Sequence, residues 1–170
     1  LSLLLNNARL AAQIAHAIGG APGFALPNGV TPGLAAFIDF PAPALTYCNG
    51  THVCEAEVDP ETGMVRLIHY IVVHDSGRII NPMIVDGQVM GAVAHGIGAT
   101  LYEWMRFDEQ GQPQTVTYGD YLLPSTDTVP AIEVIHMESP TPLNPLGVKG
   151  AAESGTIAAP AAIVSAGEDA

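Results

Sequence analysis

Apolar and polar residues alternate in two neighbouring stretches of the chain, on either side of the segment Asp59–Gly63. Alternation with a period of two, interrupted by a turn rich in Asp, Pro and Gly, predicts a β-hairpin. In its second strand one face carries Val65, Leu67, His69, Ile71 and Val73, and the other carries Arg66, Ile68, Tyr70, Val72 and His74. His69 and His74 then point in opposite directions, which excludes them as a pair of metal ligands. His52 and Cys54 share a face but lack a third ligand, so we predict no metal site.

A longer apolar stretch, Met83–Trp104, has the spacing of a helix. Its small residues recur at i, i+4, i+7 and i+11 and form one smooth face, made by Gly87, Gly91, Ala94 and Gly98. Such a face permits either the close approach of a flat ligand or a tight crossing of two helices, and the spacing alone leaves both open.

The remaining periodic segments complete the predicted fold. Helical or alternating patterns occur at Ser2–Ile18, Thr115–Leu123, Ile132–Met137 and from about Ile157 to the end. The first and last of these predict helices, the closing one with Pro160 in its first turn, and the middle two predict strands. This order predicts an α+β fold, a mixed sheet with packed helices, in a single domain over residues 1–170.

Composition and charge narrow the class of protein. The chain has 170 residues, of which 48% are hydrophobic, enough for a real core. Seventeen acidic residues against five Lys and Arg give a net charge of −12, which argues against nucleic acid or an anionic membrane as partner. No membrane helix or signal peptide is predicted. The two cysteines, Cys48 and Cys54, are too few for a disulfide framework, and free thiols favour a cytoplasmic location.

The segment Pro140–Pro160 places one carboxylate, Glu153, among Gly and Ala residues. Prolines early in the segment predict a stiff, non-helical approach, and the small residues leave the acid uncrowded. A carboxylate in such a place is suited to accepting a proton. An alternative role is that of a helix-start acid, because Glu153 directly precedes an apolar run. A phosphate loop is excluded, because Lys149 precedes Gly150 and no strand leads into the motif.

The sequence NPLGVKGAAESGT, residues 144–156, resembles the C-terminal signature of the molybdenum hydroxylase large subunits. That family includes xanthine dehydrogenase, aldehyde oxidase and aerobic carbon monoxide dehydrogenase. Further resemblances follow in the same order through PNGVTPGLAAFIDF, the hairpin, HDSGRIINP, GQVMGAVAHGIGATLYE and YGDYLLPSTDTVP, and cover about Leu26 to Ala170. One departure is Ala152, where the family usually has glycine.

The resemblance implies that the chain is the last part of the family's second molybdenum-binding domain, with the earlier cofactor-binding segments missing. It implies an oxidoreductase that hydroxylates an aldehyde, a heteroaromatic or related carbon, or carbon monoxide, with water as oxygen source. In the family Glu153 corresponds to the catalytic base. The residues implied to bind the molybdopterin cofactor, with its cytosine dinucleotide form left open, are His95, Gly96, Gly98, Lys149 and Gly150. Iron–sulfur and FAD groups are expected on partner subunits, since no cysteine cluster occurs here.

Several interpretations remain open. The chain alone is expected to be inactive, and an alternative is a non-catalytic fragment or scaffold that only completes a partner's fold. From its residue type, His95 fits a buried structural histidine as well as a cofactor contact. Arg78 fits either a pairing with Asp75 within a turn or contact with an anionic ligand, and Asp120 is interpreted as a structural loop anchor.

Overall fold

The computed structural model describes residues 43–170, and the predicted helix Ser2–Ile18 and most of the connection after it lie outside this range. The hairpin is confirmed: β1 (Asn49–Val58) pairs antiparallel with β2 (Val65–Asp75). Its turn is closed by the carboxylate of Asp59, which accepts hydrogen bonds from the backbone N–H of Glu61 at 2.9 Å and the hydroxyl of Thr62 at 2.7 Å.

A third strand, β3 (Ile132–His136), lies parallel to β2 and gives the strand order β1-β2-β3. One antiparallel and one parallel pairing make the sheet mixed, as predicted. The expected strand over Thr115–Leu123 is wrong, because the segment forms bends and turns. Asp120 explains the difference: its carboxylate accepts from the N–H groups of Val116 and Thr117 and from the Thr117 hydroxyl. These local bonds compete with strand pairing, and the prediction of Asp120 as a loop anchor is confirmed.

The side chains of β2 do not alternate regularly between the two faces of the sheet. A register shift between Glu55 and Ala56 leaves Ile68 without a partner, so Glu55 pairs with His69 and Ala56 with Leu67. This β-bulge turns Leu67 to the same buried side as Tyr70. The predicted grouping of Leu67 with His69 is therefore wrong, whereas His69 is exposed and His74 buried, on opposite faces as predicted.

Three helices complete the part of the chain that the structure describes. Helix α1 (Pro82–Leu101) begins at a proline, which is tolerated there, and is capped by the Asn81 side chain accepting from the Ile84 N–H at 3.4 Å. A single helical turn, α2 (Ser154–Ile157), leads into α3 (Ala159–Asp169), with Pro160 in the first turn of α3 as predicted. The fold class predicted from the sequence is thereby confirmed.

The core lies between the sheet and the helices. Its buried residues come from β2, α1 and α3 and are Leu67, Tyr70, Val72, Val89, Val93, Ile97, Ala159 and Ile163. The close crossing of α1 with α2 and α3 occurs at Gly96 and Gly155. A Cβ on Gly96 would stand 2.5 Å from the Cβ of Ala159. Gly87 and Gly91 of the predicted smooth face have no neighbour within 4 Å of such a Cβ, so the crossing does not use them.

Candidate functional site

Glu153 lies at the N-cap of α2, with an exposed side chain. It makes no side-chain capping hydrogen bond, and α2 has only four residues, so the role of a helix-start acid is not realised. Carboxylates at caps are normally bonded to the first N–H groups of the helix. This carboxylate is therefore available to another group.

The backbone that follows Glu153 is fixed tightly against α1. The hydroxyl of Thr156 donates to the carbonyl of Ala92 at 2.9 Å. A Cβ on Gly155 would stand 2.5 Å from the carbonyl oxygen of Val89 and 2.8 Å from the Cβ of Ala92, so only glycine fits. The segment carrying Glu153 thus rests on the same turns of α1 that carry His95.

The loop that precedes Glu153 is held by its own side chains. The amide of Asn144 donates to the carbonyl of Val148 at 2.8 Å, and its oxygen accepts from the N–H of Val148 at 3.1 Å. Gly147 has φ +70°, a conformation that favours glycine, and its carbonyl accepts from the N–H of Thr141 at 3.2 Å. The stiff approach expected from the prolines is therefore a closed, hydrogen-bonded loop.

A buried ion pair connects this loop to the end of β2. The ammonium of Lys149 lies 3.1 Å from Oδ2 of Asp75, and their side chains are 15% and 4% exposed. Burial opposes the charge of Asp75, but hydrogen bonds from Gly77, Ser139 and Lys149 outweigh it and hold the pKa of this carboxyl well below its usual range. Arg78 is exposed, so the interpretation that Arg78 pairs with Asp75 is wrong and Lys149 takes that place.

The predicted cofactor contacts differ in accessibility. His95 is exposed on α1, whereas Gly96 is buried against Ala159 and Gly98 is buried against Glu103 and Pro124. Lys149 is paired with Asp75, and Gly150 donates its N–H to the carbonyl of Thr46 at 2.9 Å. Of the five residues, His95 has the side chain most open to a ligand. As cofactor contacts, all five stay predictions.

His52, which the sequence suggested only as half of an incomplete set of metal ligands with Cys54, lies against the segment that carries Glu153. Nδ1 of His52 lies 2.9 Å from the hydroxyl of Tyr70, and the two rings meet edge to face. Burial lowers the pKa of His52, while a hydrogen bond with the backbone of Ser154 acts in the opposite direction. His52 therefore lies against the residue that follows Glu153. The available signal was its place in NGTH, residues 49–52, at the start of the hairpin that resembles the family.

A second histidine cluster joins elements that are far apart in sequence. Nε2 of His136 lies 2.5 Å from Oδ1 of Asp86, and the ring of His136 meets that of His74 edge to face at 6.2 Å. Both ring nitrogens of His74 are buried without a hydrogen-bond partner.

Within residues 43–170, no group of three His, Cys, Asp or Glu side chains is arranged to hold a metal ion. The same residues include no helix that is both long and apolar enough to cross a membrane.

Comparison with known proteins decides the family. A family model described as "Molybdopterin cofactor-binding domain" matches residues 31–130, more than half of the chain. The chain belongs to this family. The recognition made from the sequence motifs is confirmed, although the family model ends before Glu153.

Individual relatives agree with the family. The chain is 43% identical over 140 residues to the 6-hydroxypseudooxynicotine dehydrogenase complex subunit gamma of Paenarthrobacter nicotinovorans, covering 82% of the chain. It is 41% identical over 144 residues, 85% of the chain, to the nicotine 6-hydroxylase large subunit of the same organism. In each case it spans only 18% of the relative's length.

A solved structure supports the fold of this molybdopterin-binding domain. The crystal structure of the Cu,Mo-CO dehydrogenase in its carbon monoxide reduced state matches with a TM-score of 0.75 and 30% identity. The match covers 84% of this chain and 18% of that chain. The mixed sheet and its helices are therefore part of a much larger architecture in these relatives.

Proposed function

We propose that this chain is the C-terminal part of the molybdopterin-binding subunit of a molybdenum hydroxylase, with Glu153 as its catalytic base. The observation that carries the proposal is the exposed Glu153 carboxylate, free of capping bonds, on a backbone fixed on both sides. A side chain held in place without a partner of its own is suited to serve an external group. The match to the family supports the cofactor class.

The described residues fit a polar, flat cofactor. His95 offers one hydrogen-bond donor and one acceptor from an exposed position on α1. The open backbone at Gly87 and Gly91 leaves space along the exposed face of the same helix. His95 would therefore bind the pterin, and Gly150 would contribute at the base of the Glu153 segment. Gly96 and Gly98 would support the site through the close packing of α1.

When bound, the molybdenum cofactor supplies the two-electron acceptor for hydroxylating an electrophilic carbon with oxygen from water. In this scheme Glu153 accepts a proton at a carboxylate oxygen. A positioned base contributes about 10²- to 10⁴-fold to rate. The neighbouring Ala151 and Ala152 carry only methyl side chains, which leaves room for the reacting molecule beside the acid.

The substrate class we propose is a nitrogen heteroaromatic ring. The two relatives compared above, at 43% and 41% identity, have nicotine compounds in their names, and the Cu,Mo-CO dehydrogenase is less similar, at 30%. An aldehyde or carbon monoxide are the alternatives. A panel of nicotine, benzaldehyde and carbon monoxide, assayed with a dye as electron acceptor, separates the three.

Partners and location follow from the same proposal. One relative is named as a subunit of a complex, which supports assembly with other subunits. We propose an iron–sulfur subunit and an FAD subunit as electron acceptors, in the cytoplasm. The free thiols Cys48 and Cys54 support a reducing compartment. We also propose that the molybdopterin cofactor is bound in its cytosine dinucleotide form.

The test is Glu153→Gln in the complete large subunit assembled with its partners. We expect molybdenum and pterin contents equal to wild type, with turnover of the best panel substrate lower by about 10²-fold or more. Glu57→Gln, on the exposed side of the hairpin, is the matched control and should leave the molybdenum and pterin contents and the turnover unchanged. Wild-type turnover by Glu153→Gln would remove Glu153 from the mechanism. Absence of molybdenum and pterin from the wild-type complex would favour the scaffold alternative.

A further inference from the structure

The carboxylate of Asp75 connects three separate parts of the chain. Oδ1 accepts from the N–H of Gly77 at 2.8 Å and from that of Ser139 at 3.2 Å, while Oδ2 lies 3.1 Å from the ammonium of Lys149. Asp75 is 3% exposed. A carboxylate this deeply buried and this fully bonded sets the relative positions of the segments that bond to it.

The backbone around the ion pair is equally closely fitted. Lys149 donates its N–H to the carbonyl of Ser76 at 2.8 Å, and Arg78 donates to that of Gly147 at 3.0 Å. A Cβ on Gly77 would collide with the carbonyl of Gly147, so the two strands of chain approach as near as glycine permits. The loop is therefore attached to the end of β2 through both backbone and charge.

This attachment lies directly before the proposed base. Only residues 150–152 separate Lys149 from Glu153, and beyond Glu153 the chain is fixed again by Gly155 and Thr156 on α1. With so few residues between two fixed points, a shift of Lys149 is transmitted to Glu153. The ammonium of Lys149 lies beside the carboxylate of Asp75, which neutralises the positive charge of Lys149. No anionic group of a cofactor is needed to neutralise it.

We propose that Asp75 is a positioning residue for Glu153, acting through Lys149, and that Lys149 neutralises Asp75 rather than binding an anionic group of the cofactor. The inference rests on the proposed function, because it assigns the role of the Asp75–Lys149 pair to the placement of the proposed base. It replaces the cofactor contact that sequence motifs suggested for Lys149.

The test compares Asp75→Asn, Lys149→Met and the double variant in the complete assembled enzyme. Each single variant leaves one buried charge unpaired, whereas the double variant removes both charges and keeps an acceptor for Gly77 and Ser139. We measure kcat and KM with the best panel substrate, molybdenum and pterin contents, and amide hydrogen exchange of residues 139–153.

Each single variant should lower kcat by about 10-fold or more with KM nearly unchanged, since small displacements of a catalytic group are costly. Exchange in residues 139–153 should become faster while molybdenum and pterin contents stay at wild type. The double variant should recover much of the lost kcat, which would show the two charges acting as a pair. The exposed pair Arg66 and Glu57 is the control, and Arg66→Met with Glu57→Gln should show no such coupling.

Two results would overturn the inference. If Lys149→Met loses molybdenum or pterin and the double variant is no better, Lys149 binds the cofactor. If Asp75→Asn keeps wild-type kcat and wild-type exchange, Asp75 does not position the loop. Failure of the proposed function is distinguishable, since it appears as wild-type turnover in Glu153→Gln while the effect of Asp75→Asn on exchange persists.

Discussion

Gly155 lies so close to Val89 that a Cβ on the glycine would stand 2.5 Å from the valine carbonyl oxygen. This contact brings the turn after Glu153 onto α1, and neither the carbonyl nor the adjacent backbone can move freely. The position of the proposed base therefore depends on the absence of a single methyl group.

Gly155→Ala should destabilise the protein by about 1–3 kcal/mol, because the added methyl overpacks a rigid contact. Denaturant titration of the variant and the wild type measures the difference. Gly167→Ala is the matched control in α3, where an added Cβ meets nothing within 4 Å. Replacing a helical glycine in open space by alanine should raise the free energy of unfolding by about 0.5–1 kcal/mol. Equal stabilities of the two variants would contradict the packing described here.

Two glycines of α1 should respond in opposite directions. Gly96→Ala places a methyl against Ala159 and should lower the free energy of unfolding by about 1–3 kcal/mol. Gly91→Ala, on the open face of the same helix, should raise it by about 0.5–1 kcal/mol. Thermal unfolding of both variants checks this, and a destabilised Gly91→Ala would mean that the open face is packed against protein.

The pH dependence of stability should reflect His74. Burial lowers the pKa of His74, with repulsion from His136 and His52 in the same direction and Asp75 opposed. The stabilisation from neutral His74 is complete above its unfolded pKa of about 6.5 and is lost as the pH falls through the lower folded value. The free energy of unfolding should therefore decrease on acidification below about pH 6.5. His74→Leu should show a shallower decrease, and an unchanged slope would exclude His74 as its source.

Two substitutions of His95 test whether its hydrogen-bonding groups hold the cofactor. His95→Gln preserves a donor and an acceptor and should retain the pterin content of the assembled enzyme, whereas His95→Leu removes both and should lower it. Pterin analysis of the two purified complexes is the measurement. Because His95 is exposed, both variants should fold with wild-type stability. Equal pterin contents in His95→Leu and wild type would remove His95 from the cofactor site.

The elements predicted correctly are those in which the spacing of apolar residues matches the helix or strand that forms. The hairpin, α1, β3 and the closing helix were predicted from periodicity and turn residues, and with them the α+β class. The strand predicted over Thr115–Leu123 failed because Asp120 bonds to the local backbone, an effect that apolar alternation does not reveal. The bulge at Ile68 was missed because an unpaired residue is defined by its partner strand.

The site was predictable to a smaller extent. Glu153 was identified by its small neighbours and its motif, and the structure shows its side chain exposed. The ion pair of Lys149 with Asp75 was missed because its partners are 74 residues apart in sequence and meet only through the fold. Arg78 is closer to Asp75 in the chain and was for that reason the expected partner. Proximity in sequence was a poor guide because Lys149 reaches Asp75 from the opposing loop.

The parallel pairing of β2 with β3 has a consequence for the order of folding. Tyr70 pairs with Ile132, and closing so long an intervening chain carries an entropic cost that the local hairpin avoids. The hairpin and α1 are therefore expected to form early, before β3 docks. Since the loop after β3 carries Lys149 and Glu153, the proposed base reaches its position only in the last stage of folding, when the rest of the sheet already exists.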